Sequence, residues 1–139
     1  MEQPATLAQI TTLRDWARKV DRLHERYFLS ARPPQPGSRL ATEDVDLWPY
    51  RLSYEASMRL SVAADFLHGV RCLTVDDQYD AVQLHTFSPF PLLRAALEGA
   101  CTVAWLIDPH VDAITRARRR IELLVGSHAA RDRVQGAMN

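Results

Sequence analysis

From Leu7 the apolar residues recur at Ile10, Leu13, Trp16 or Ala17, Val20, Leu23 and Tyr27, a rhythm of three and four that lays one stripe along a helix. The other side of that stretch, Arg14, Asp15, Arg18, Lys19, Asp21, Arg22, Glu25 and Arg26, carries both signs densely and reads as a solvated, mutually paired face. Thr6 can cap this helix, and Arg32-Pro33-Pro34 ends it, because proline has no N–H to give the ladder. Residues 32–48, RPPQPGSRLATEDVDLW, hold three prolines and a glycine and read as a linker. Helical spacing resumes at Pro49 or Tyr50 and runs through Leu52, Ala56, Leu60, Ala63 or Ala64, Leu67 and Val70 to about Leu73, where Val75 to Asp80 break it with turn formers and acids. Ser88-Pro89 opens a third helix, with serine as cap and proline at the first position, and Pro109 stops it after Ile107. That segment is apolar on nearly all sides, which predicts the most buried element of the fold. A fourth helix begins near Val111 and places Ile114, Ala117, Ile121, Leu124, Val125 and His128 on one side.

The pattern therefore predicts an all-α chain with helices over about 6–31, 50–73, 88–107 and 111–134, joined by a proline-rich linker at 32–48. Short connections between amphipathic helices favour a single domain resembling a four-helix bundle with antiparallel neighbours. No segment alternates convincingly enough to compete as strand.

Composition narrows the function more than the fold. The 139 residues carry zero formal net charge, which argues against nucleic acid or an anionic membrane as partner. Sixteen of the 17 basic residues are arginine, the mark of a GC-rich genome. Cys72 and Cys101 sit in apolar contexts and read as buried free thiols in a reducing compartment, with no second pair for zinc. The N-terminus lacks a signal-peptide pattern, and the apolar run Gly99 to Ile107 is far below the roughly 20 residues a bilayer requires. A cytoplasmic protein without a membrane segment is expected.

Within the apolar third helix only Arg94 and Glu98 are charged, one turn apart and on the same face. They read as a buried structural pair that ties this helix to its neighbours or to a second subunit; the alternative places them, with Asp65 and His68 of the second helix, in a catalytic cleft. Asp65 and His68 come nearest to a metal half-site, but bundles that hold metals need two such turns, no second one is read here and the other histidines are read as scattered, so no metal and no cofactor are expected. Arg116, Arg118, Arg119 and Arg120 form the one basic cluster and the one nucleic-acid candidate, although a solvated helix face or protein interface explains it as well and no aromatic residues interleave for base stacking.

Glycine-rich phosphate loops, GxSxG, HExxH and dinucleotide fingerprints are missing. Arg18 and His24 meet the spacing of the small helical ribonucleases of the HEPN class, a spacing that sixteen arginines and five histidines also supply by chance. Trp48, Tyr54 and Trp105 could line a small-ligand pocket. Ala63-Ala64-Asp65, then Leu92-Leu93-Arg94-Ala95-Ala96-Leu97-Glu98, Ala104-Trp105-Leu106-Ile107-Asp108-Pro109 and the arginines from Arg116 resemble an uncharacterised family of helical-bundle proteins common in actinobacteria. The resemblance covers about residues 56–125 and implies a helical fold without an assigned activity. Its members are longer and continue with further helices, so self-association is the expected way to cover the central helix. The chain is accordingly expected to be a helical interaction or regulatory module, a homodimer or the partner of another protein, with a HEPN-like or other toxin-type ribonuclease and a small-ligand-binding protein as alternatives.

Overall fold

A computed structural model describes residues 7–28, 33–76, 81–82, 85 and 87–137, and 79% of them are helical. The chain runs α1 (Leu7–Tyr27), α2 (Arg39–Asp46), α3 (Leu52–Thr74), β1 (Val75–Asp76), β2 (Ala81–Val82), α4 (Pro89–Leu106) and α5 (Ala113–Ala137). The all-α expectation holds. Thr6 and Arg32 lie outside the described residues.

Two departures from the sequence reading stand out. The first is that the segment read as a linker contains α2. Gly37 adopts a φ of 77°, a left-handed turn that glycine enters without a Cβ penalty, and redirects the chain. Ser38 then caps the helix, its hydroxyl accepting from the Ala41 N–H at 3.3 Å. The second is that the break after α3 folds into a minimal antiparallel pair, Val75 with Val82 and Asp76 with Ala81. Thr74 closes α3 by donating its hydroxyl to the Val70 carbonyl at 2.7 Å.

The remaining helix starts follow local chemistry. Asp44 of α2 accepts the Ser53 N–H at 3.0 Å, which satisfies one of the free donors at the start of α3. Pro89 begins α4 as the sequence predicts. Asp112 accepts the Thr115 N–H at 2.7 Å and caps α5.

The chain groups into two compact units, residues 1–32 with 57–102 and residues 33–56 with 103–139. In the first, the core is built largely from small side chains: Ala17 and Val20 of α1, Ala63, Ala64 and Val70 of α3, and Ala96 of α4. Gly99 permits the approach of α4 to α3, since a Cβ there would stand 3.4 Å from both the Ala63 methyl and the Arg59 carbonyl. In the second unit, Leu52 and Leu106 are fully buried beside Ala56 and Val103.

α4 is not the most buried element. Ala96, Val103 and Leu106 turn inward, while Phe90, Leu93, Leu97 and Trp105 remain exposed. An apolar circumference exceeds what one packed side can cover, and the surplus faces outward here.

Candidate functional site

The most organised polar cluster lies on α1 and α3 within the first unit. His24 and His68 stack with ring centroids 4.2 Å apart and planes 14° from parallel. Each faces a carboxylate of the other helix: His24 Nε2 lies 3.6 Å from Asp65 Oδ1, and His68 Nδ1 lies 3.4 Å from Asp21 Oδ1. Phe28 stacks on the free face of His24 at 4.7 Å. Arg71 Nε donates to Asp21 Oδ2 at 3.2 Å, and Cys72 Sγ sits 3.4 Å from His68 Nε2.

The sequence explains this crossed arrangement once both helices are aligned. Asp21-Arg22-Leu23-His24 repeats the spacing of Asp65-Phe66-Leu67-His68, so the second Asp-x-x-His turn, taken as missing, is present on α1. His24 follows Ala17 and Val20 around the buried side of α1, which is the signal that separates it from a surface histidine. The two turns nevertheless do not converge as ligands. Near-parallel rings aim their in-plane lone pairs along separate planes, and among the described residues no group of three or more His, Cys, Asp or Glu side chains has metal-holding geometry.

Of the four residues proposed for a cleft, the structure brings Asp65 and His68 together with α1, not with Arg94 and Glu98. Arg94 Nε donates to Glu98 Oε1 at 2.7 Å as their spacing predicts, yet the side chains are 81% and 63% exposed, so the pair is not buried within the chain. It occupies the outward side of α4, where apolar neighbours on the same helix had suggested a core position. Cys72 and Cys101 are likewise exposed and free, not buried. Arg18 pairs with Asp15 at 2.9 Å and has no bond to His24.

The arginine cluster divides. Arg116, only 2% exposed, grips Glu43 through two nitrogens, with Nε to Oε2 at 2.8 Å, and donates to the carbonyls of Asp108 and Val111 at 2.9 and 2.5 Å. Arg39 joins the same carboxylate at 3.0 Å and reaches the Val111 carbonyl at 2.7 Å. Arg120 is buried against Glu55 at 3.1 Å. Arg119 donates to the Trp105 carbonyl and lies over its indole at 4.9 Å. Arg116 and Arg120 are thus committed inward to carboxylates, and of the four Arg118 is the exposed one. The guanidinium of Arg116 holds the Glu43 carboxyl below its ordinary range against the opposing effect of burial, with Arg39 adding to it. Sequence reasoning missed Glu43 because it lies in the segment read as a linker.

The aromatic residues proposed to line a pocket are on the surface: Trp48 and Tyr54 are exposed, with Arg51 over the Trp48 ring at 4.7 Å. The apolar concavities of the first unit are elsewhere. One, of about 490 Å³, is lined by Leu23, Tyr27, Leu60, Leu67, Leu93 and Leu97 among others. A second of about 490 Å³ lies among Leu13, Trp16, Val70, Phe90 and Leu93. No described helix is long and apolar enough to cross a membrane. Comparison with known proteins finds no family model, no curated relative and no solved structure that matches this chain.

Proposed function

We propose that the chain is a cytoplasmic helical interaction module that works through the outward face of α4, and that the occupant of this face is a second copy of the chain. The observation that carries the reading is the stripe Phe90, Leu93, Leu97, stepped by three and four residues on one helix, with Phe90 and Leu97 66% and 63% exposed. Apolar grooves flank it and share Leu93.

Charge favours a second copy over an unrelated protein. Arg94 and Glu98 border the stripe on the same exposed face. In a twofold contact, where residue i meets j and j meets i, antiparallel α4 helices place each Arg94 opposite its partner copy's Glu98. The neutral chain opposes such pairing with little long-range repulsion. The role expected for this pair, docking α4 onto a second subunit, thus moves from the core to the surface. The bundle with antiparallel neighbours expected from the sequence stays part of the proposal, supported by the short connection 107–112 between α4 and α5.

Sedimentation velocity and native mass spectrometry test it. Wild type is expected as a dimer, Leu97→Glu as a monomer, and Arg94→Glu and Glu98→Arg as weakened dimers that the double exchange restores. A monomeric wild type at micromolar concentration, or a double exchange no better than either single one, would overturn the reading. A monomer carrying the extra mass of a small molecule would transfer the apolar grooves to the ligand-binding alternative.

A further inference from the structure

We infer that Cys72, His68 and Asp21 form a reactive-thiol relay, and that its substrate is a low-molecular-weight disulfide. The inference does not depend on the α4 face. Three observations carry it. Cys72 is exposed and free, so a small reagent can reach it. His68 Nε2 stands 3.4 Å from its sulfur, within thiol hydrogen-bond reach. The other ring nitrogen, Nδ1, stands 3.4 Å from Asp21 Oδ1, a separation of ion-pair length that is not aligned as a hydrogen bond, and that nitrogen is buried with no other partner. A nucleophile, a base and a third group that fixes the base's tautomer are the parts an activated thiol requires, and such contacts tighten when a substrate arrives.

The surroundings hold the base in place. Arg71 fixes Asp21 from the same helix that carries His68 and Cys72, and the stacked His24 ring covers one face of His68. Cys72 and His68, four residues apart, owe their contact to helix spacing alone, whereas Asp21 comes from α1 and depends on the fold.

Chemistry selects the substrate class. Acyl transfer needs N–H donors aimed at a developing oxyanion. Cys72 lies within α3, whose backbone N–H groups are spent on the helix ladder, so its own helix offers no such donors. Disulfide exchange needs only a thiolate and a place for its proton. His68 takes the Cys72 proton; the thiolate attacks one sulfur of R–S–S–R; the Cys72–S–S–R bond forms as the S–S bond breaks; and the departing thiolate leaves as R–SH with the proton returned by His68. One disulfide is exchanged for another, with no net oxidation.

The test is the rate at which glutathione disulfide modifies each cysteine at neutral pH, read by mass spectrometry of the folded protein and of the same protein unfolded in urea. Folded Cys72 is expected to react about tenfold faster than unfolded Cys72, a modest return for a positioned base. His68→Asn and Asp21→Asn should bring the folded rate down to the unfolded one, and Asp21→Glu, which keeps a carboxylate in reach, should restore most of it. Circular dichroism of each variant establishes that the helices persist; a variant that loses them is replaced by His68→Gln or Asp21→Ser. A folded Cys72 no faster than the unfolded thiol, or a rate unmoved by loss of His68 in a folded variant, overturns the relay.

Discussion

At the level of single residues, Glu43 carries the most consequence, because it satisfies two guanidinium groups in a buried setting. Such pairs set register more than they add net stability, yet removing one partner strands the other charge. Glu43→Gln keeps the shape and removes the anion, and is expected to lower unfolding free energy by about 3–5 kcal/mol in urea titrations. Glu43 also has an acid signature. Its carboxyl releases its proton more readily in the folded chain than at the ordinary value of 4.5. The folded state therefore gains stability above that pH and loses it as the pH falls through the lowered folded value. In Glu43→Gln this part of the acid slope disappears, so wild type and variant curves converge toward low pH; parallel curves would show that the pair contributes no proton linkage. The pair was illegible in the sequence because its members lie 73 positions apart and one sits among prolines and glycine.

Among the elements, α2 shows why the long helices could be read and a short one could not. α1 and α3 hold a rhythm for several turns, and their cores were visible in the spacing of residues such as Val20 and Ala63, whereas on α5 the expected stripe of Ile114, Ile121 and Val125 is exposed and Arg116 and Arg120 take the buried side. α2 has eight residues, too few to establish periodicity, and takes its stability from a cap and from tertiary partners instead. Ser38→Ala removes that cap and is expected to cost about 1 kcal/mol. Because Arg39 and Glu43 of α2 both lead to the 108–112 turn through Val111 and Arg116, the loss should also speed amide exchange at residues 108–112. Exchange confined to residues 38–46 would mean that α2 does not brace that turn. The crossed histidines teach a related lesson: each Asp-x-x-His turn was open to inspection, but only the fold pairs Asp21 with His68 and Asp65 with His24.

For the molecule as a whole, the sequence located the apolar mass of α4 correctly and assigned it the wrong surroundings. Periodicity reports which side chains avoid water, not whether they do so against their own chain or another. A segment apolar on nearly every side was read as central, whereas Leu97 and Phe90 stand exposed on the side opposite Ala96 and Gly99. If a second copy supplies the cover, folding and association are linked, and stability must follow mass action. The melting temperature of wild type is then expected to climb steadily as protein concentration is raised over a hundredfold range, while Leu97→Glu melts at one temperature throughout. That comparison separates an interface from a merely sticky surface, since nonspecific aggregation lowers the apparent midpoint as concentration rises and leaves unfolding irreversible. A concentration-independent wild type that refolds fully would show that the exposed stripe is stable in water unaided, and the working surface would then have to be sought away from α4.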